Sequence, residues 1–167
     1  KHTPSNAVCV AHRGQAIGIG GGQQARIYAT RAACDKADAW RLHLHSRVSE
    51  ISVGEGASRT KRVQLVRRWI ERSSSALPGH DRQQPPHTNL PEPLAREERE
   101  AWLASFAPVV LSSDGDVPFR DNVDRAHCSH VQAIAQPGGS ANDALVTAAA
   151  NEASIVMVHT GVRLFWH

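Results

Sequence analysis

The sequence predicts an α/β fold, and three observations carry the prediction. Apolar strand-like runs alternate with helix-like stretches through the second half of the chain. Glycine-rich turns lead from strand into helix twice, at residues 18–26 and 136–143. The length of 167 residues and the 41% hydrophobic content suit one ordinary domain with its own core. Apolar strands separated by helices imply a mixed, largely parallel sheet covered on both faces.

The elements follow in order. Residues 7–11 and 16–20 flank His12-Arg13-Gly14-Gln15 and read as a β-hairpin turned at Gly14. Residues 24–43 contain no Pro or Gly, and Ala29, Ala33, Ala37 and Trp40 suit close packing on one side of a helix. A second helix is expected over 60–72, where Val63, Val66, Trp69 and Ile70 recur at helical spacing among basic residues. Residues 73–93, rich in Ser, Pro and Gln, read as a flexible loop, because such a composition buries too little apolar area to offset ordering. A short helix over 95–106 precedes strands at 109–111, 131–135 and 155–159, with helices at 121–129 and 141–153 between them.

Composition narrows the function classes. Cys9, Cys34 and Cys128 are odd in number and widely spaced, which is neither a disulfide framework nor a metal-ligand spacing, and fits a reducing compartment. The net charge of +3 suits anionic ligands without demanding nucleic acid. No apolar run approaches the roughly 20 residues of a spanning helix. The start at Lys1, with no leader-like segment, reads as a piece of a longer chain.

Three segments bear on chemistry. The turn from Gly18 to Arg26 has the glycines of an anion cradle but the spacing of neither a dinucleotide fingerprint nor a P-loop, so a tight strand-to-helix connection is the plainer alternative. Arg26, a cation at a helix N-terminus, opposes the helix dipole unless an anion compensates it. The turn Gln136-Pro137-Gly138-Gly139-Ser140 leads into a helix that Ser140 either caps or leaves open to a ligand. In the third segment Asp114, Asp116 and Asp121 read either as a metal or acid/base cluster or as acids neutralised by Arg120 and Arg125. His127-Cys128-Ser129-His130 reads as incidental surface groups rather than a metal site, and the deaminase zinc signature is missing.

Together, Ser5-Asn6, Ile17-Gly18-Ile19-Gly20, Gly22-Gln23-Gln24-Ala25-Arg26, Asp35-Lys36-Ala37, Pro118-Phe119-Arg120-Asp121-Asn122, Pro137-Gly138-Gly139-Ser140 and His159-Thr160-Gly161-Val162-Arg163 resemble the motifs of the AICAR transformylases, in their usual order. The resemblance runs from end to end of the chain, is weakest over 57–97, and places the chain in the C-terminal part of that family's proteins. It implies a three-layer α/β/α, cytidine-deaminase-like fold without catalytic zinc, in a cytoplasmic homodimer that binds neither nucleic acid nor membrane. It implies transfer of a formyl group from 10-formyltetrahydrofolate to AICAR, an aminoimidazole carboxamide ribonucleotide. Asn6, Arg26, Asp121 and Arg163 match nucleotide-holding positions; Ile27, Pro118, Asn122, Ser140 and Ala141 match the folate pocket. The family's catalytic Lys-His pair has no counterpart among these residues, so the chain by itself is expected to be inactive. Asp116 and Val117 stand where the family has two phenylalanines. The alternatives are a non-catalytic nucleotide-binding module and an RNA-binding domain using Lys61, Arg62, Arg67 and Arg68.

Overall fold

The computed structural model describes residues 2–54, 58–74 and 88–165. They form two compact units, Lys1–Trp40 with Phe106–His167, and Arg41–Ser105. Most of the expected loop at 73–93 lies outside the described residues.

The first unit is a five-stranded sheet with three helices. Its strands are β1 (Val8–His12) and β2 (Gln15–Gly20), then, beyond the second unit, β5 (Val109–Ser113), β6 (Ala133–Gln136) and β7 (Val156–His159), in the order β2-β1-β5-β6-β7. β1 runs antiparallel to both neighbours, whereas β5, β6 and β7 are mutually parallel. Four of the five strands therefore point the same way. The hairpin between β1 and β2 closes at Arg13 and Gly14, both with positive φ (49° and 79°), the two-residue geometry whose twist suits a hairpin. A register shift beside Val10 and Ala11 lets Ile17 and Gly18 both face inward, breaking the alternation on β2.

Helices α1 (Arg26–Leu42), α5 (Arg120–Cys128) and α6 (Asp143–Glu152) supply the layer that covers the sheet. Val8, Val10, Leu111 and Ile134 meet Ala29, Ala33, Cys34, Val123, Ala126 and Val146 in one buried cluster. Covering on both faces is not what the described residues form. The paired rows Ala16–Ala11–Val110–Ala133–Val156 and Ile19–Cys9–Ser112–Ala135–Val158 point away from these helices, and Ile19, Val156 and Val158 are exposed. The cause lies in the strands themselves: they alternate buried with less buried residues, the pattern of a sheet packed on one side, where a two-sided sheet reads as continuous apolar runs.

A polar clasp joins α1 to α5. Arg125 donates to Ser129 Oγ (2.7 Å), Asp35 Oδ1 (2.7 Å) and Asp38 Oδ2 (3.4 Å), and Ser129 donates to Asp38 Oδ1 (2.8 Å). Cys34 lies fully buried beside it, and burial pushes its thiol from 9.0 up to about 11.

The second unit contains α2 (Arg47–Glu50), α3 (Arg59–Ser74), α4 (Arg96–Ala104) and a two-stranded ribbon of β3 (Ser52–Val53) and β4 (Thr88–Asn89). Leu65, Val66, Trp69 and Ile70 on α3 are buried, as are Leu94 and Leu103. Arg41 is also buried and donates to the Leu103 carbonyl (3.0 Å), while Trp102 Nε1 donates to the Arg41 carbonyl (2.9 Å). His45 packs on Trp102 and Trp69, with ring centroids 4.7 and 5.8 Å away, and burial lowers its pKa. α2 and the ribbon were not expected from sequence, being too short to carry a periodic signal. Among the described residues no helix is long and apolar enough to cross a membrane.

Two outcomes follow. A Cβ added to Gly20 would lie 2.3 Å from the Ala29 carbonyl oxygen, so Gly20→Ala should destabilise the fold by about 1–3 kcal/mol in a denaturant titration, as overpacking does. Cys34 should resist alkylation at pH 8 while exposed Cys128 reacts, with denaturant removing the difference. Because folding raises the Cys34 pKa, its contribution to stability is fully present below 9.0 and is lost as pH climbs through about 11.

Candidate functional site

Strand direction gathers the segments singled out in the sequence. The C-terminal ends of β2, β5, β6 and β7 and the residues entering β1 all lie at one end of the sheet. This is where open α/β sheets hold ligands.

The centre of that end is an ion pair between Arg26 at the start of α1 and Asp114 just past β5, with 7% and 3% of their surfaces exposed. Arg26 Nη1 also donates to the Ala7 carbonyl (3.1 Å). Asp114 Oδ1 accepts from the Ala7 amide (3.0 Å), and the Asp114 amide donates back to the Ala7 carbonyl (3.1 Å). The Leu164 amide donates to the Asp114 carbonyl (3.0 Å), which ties down the segment after β7. Gly115 is required because a Cβ there would lie 2.5 Å from Arg26 Nη2 and 2.8 Å from the Phe165 ring. Arg26 Nε and Asp114 Oδ2 are buried and have no hydrogen-bond partner of their own among the described residues.

The compensating anion for Arg26 is therefore Asp114 of the same chain. Arg120 and Arg125 turn elsewhere, Arg120 to Glu152 (2.6 Å) and Asp124 (3.3 Å), Arg125 to the clasp on α1. Among the described residues no group of three or more His, Cys, Asp or Glu is arranged to hold a metal ion. His127 and Cys128 are exposed.

A cavity of about 400 Å³ opens beside the ion pair, lined in part by Asn6, Arg26, Asp116, Pro118, Phe119 and Phe165. Gln24 and Ala25, the two residues leading into α1, line it too, so the N-terminal end of α1 borders this space. Of the predicted nucleotide residues, Asn6 and Arg26 thus share one wall system with Pro118. Asn6 is held by its amide and its Nδ2, which donate to the Gln23 carbonyl at 3.1 and 2.9 Å. Asp121 is exposed in the first turn of α5 and accepts from Asn122 Nδ2 (2.8 Å). Arg163 is exposed, and its Nη2 reaches toward Gly139 at the turn between β6 and α6, 4.0 Å from where a Cβ would stand.

Other predicted residues are engaged within the fold. Asn122 is buried; its Oδ1 accepts from Thr30 (2.7 Å) and its Nδ2 also donates to the Phe119 carbonyl (3.3 Å). Ser140 Oγ accepts from the Asn142 amide (3.2 Å), and the amides of Gly139 and Ser140 donate to Asp143 at 2.7 and 3.3 Å. The second glycine turn is thus capped by its own Asp143. Ala141 is exposed on that turn and Ile27 is half-buried beside Arg26. In the first glycine turn, Gly22 donates to the Pro4 carbonyl (2.6 Å) and Gln23 to the Asn6 carbonyl (3.2 Å). Gly18 and Gly20 serve close packing, their missing Cβ atoms making room for the Ala33 and Ala29 carbonyls.

Sequence reasoning missed Asp114 as the partner of Arg26, and Phe119 and Phe165 as walls. The signal for Asp114 was present: a lone cation opening a helix asks for a nearby anion. Removing that anion by Asp114→Asn should destabilise the chain by about 3–5 kcal/mol, because Arg26 is left charged and buried. Arg26→Met in the same chain should recover much of the loss, read as a non-additive double-mutant cycle in denaturant melts.

The family model described as the AICARFT/IMPCHase bienzyme matches residues 1–36. Proteins named bifunctional purine biosynthesis protein PurH match the whole chain, at 31% identity in Acidithiobacillus ferrooxidans and 33% in Sorangium cellulosum. A third, from Xanthomonas oryzae pv. oryzae, is 46% identical over 74 residues, 44% of this chain and 14% of its own length. The chain spans about 20% of the length of the first two relatives. Matched along its full length to one stretch of these longer proteins, the chain belongs to the AICARFT/IMPCHase bienzyme family.

Proposed function

We propose that the chain supplies nucleotide- and folate-holding residues to an enzyme of purine biosynthesis that transfers a formyl group from 10-formyltetrahydrofolate to AICAR. The observation that carries this reading is the convergence of four separate segments, those entering β1 and leaving β2, β5 and β7, around a cavity lined by Asn6, Arg26, Pro118 and Phe165. Asn6, Arg26, Asp121 and Arg163 are assigned to the nucleotide; Ile27, Pro118, Asn122, Ser140 and Ala141 to the folate. Arg163 is the residue whose guanidinium remains exposed, and it suits a charged group as a planar fork does. Arg26, neutralised by Asp114, suits fixing the cavity wall.

Formyl transfer to a weakly nucleophilic amine needs a base for the amine proton and stabilisation of a tetrahedral oxyanion. We assign that work to the Lys-His pair that the resemblance places outside these residues, so this chain alone binds without turning over. The same reading includes a cytidine-deaminase-like sheet without catalytic zinc, a homodimeric parent and a cytoplasmic setting. The mixed sheet with β1 reversed is compatible with the first of these. A binding module without chemistry is the second reading, favoured by the number of turn amides already satisfied within the chain. RNA binding through Lys61, Arg62, Arg67 and Arg68 ranks below both, since Arg67 is already paired with Glu71 (3.0 Å).

Titration calorimetry with AICAR separates these readings. The chain should bind it, and Arg163→Ala should weaken binding by about 10- to 100-fold, the worth of hydrogen bonds to a charged group. No heat from the wild type, or an unchanged Arg163→Ala, overturns the assignment. Formyl transfer by the isolated chain would overturn its proposed inactivity.

A further inference from the structure

The cavity beside the ion pair carries an uncompensated charge. Of the described residues that line it, only Arg26 and Asp116 are charged, and the positive charge of Arg26 is already matched by Asp114. Asp116 is half-buried and makes no hydrogen bond or ion pair with any described residue. The local electrostatic balance of this pocket is therefore set by one carboxylate.

The backbone fixes where that carboxylate points. On one side Gly115 is wedged against Arg26 and Phe165, leaving no room for a side chain. On the other, Val117 is 2% exposed, and its amide donates to Oε1 of the fully buried Gln136 (2.8 Å). With both neighbours held inward, Asp116 stands on the cavity wall and cannot retreat into the core. A partly desolvated carboxylate without a partner gains from any N–H donor brought to it and repels any anion. Asn6 Nδ2 gives one of its two N–H groups to the Gln23 carbonyl and makes no hydrogen bond to Asp116.

We propose that Asp116 is the specificity-determining residue of this cavity: it selects ligands that set an N–H donor or an amine against it, and excludes ligands that set a phosphate there. This rests on the functional reading above in taking the cavity as the ligand site, and it restricts that reading. A nucleotide that enters must turn its amine-bearing base toward Asp116 and its phosphate away, toward exposed Arg163.

The test uses the full chain and two probes, the uncharged aminoimidazole carboxamide riboside and inorganic phosphate, with Asp116→Asn and Asp116→Glu. Asp116→Asn should weaken the riboside by about tenfold or more and tighten phosphate severalfold, while Asp116→Glu keeps the wild-type order. Shifts of opposite sign are what a purely structural role would not give. The inference is overturned if both probes move together, if neither moves, or if the wild-type chain does not bind the riboside. Nucleotide binding that still depends on Arg163 while Asp116→Asn is silent sinks this inference and leaves the functional reading standing. Loss of both sinks both.

Discussion

The rest of the candidate site depends on the buried pairing of Arg26 with Asp114. It joins four stretches of chain that are far apart in sequence: the entry to β1 at Ala7, the start of α1, the end of β5, and the segment after β7 through Leu164. A buried ion pair contributes little net stability compared with apolar packing, because both charges lose their water. Its geometry is what matters here. The Asp114 amide donates to the Ala7 carbonyl and the Ala7 amide donates to the Asp114 carboxylate, so the pair is held at the end of the ladder between β1 and β5.

That pairing also sets the charge pattern of the surrounding surface. Helices α1, α5 and α6 all begin at this end of the sheet, and their partial positive charges would attract an external anion. Each meets a carboxylate of the chain instead: α5 and α6 have Asp121 and Asp143 in their first turns, and α1 has Asp114 acting through Arg26. Arg163 is left as the exposed cation beside the second glycine turn. Charge separation within the site, with Asp116 on the cavity wall and Arg163 over the neighbouring turn, follows from these internal pairings rather than from net charge.

The sheet shows the same economy of position. Small residues on α1, Ala29, Ala33 and Ala37, bring the helix against Gly18 and Gly20 so closely that no Cβ fits between them. The clasp of Arg125, Ser129, Asp35 and Asp38 then fixes α5 against α1 and aims the start of α5 at the cavity. The opposite rows of the sheet bear mostly Ala and Val, with Cys9, Ile19 and Ser112 among them.

Sequence alone determined the local elements. The hairpin at Gly14, the Pro- and Gly-free helix α1 and the strand-helix alternation after residue 108 were legible because periodicity and turn chemistry act over a few neighbouring residues. The motif order likewise indicated the family, and with it the residues to examine. Tertiary structure alone decided which charges pair, which amides are free and which sheet face is covered. Arg26 found Asp114, 88 positions away, while Arg120 and Arg125, nearer in sequence to the acids, turned outward or to α1. Pairing of this kind depends on strand order and on which end of the sheet a turn occupies, and neither is written in the spacing of residues along the chain.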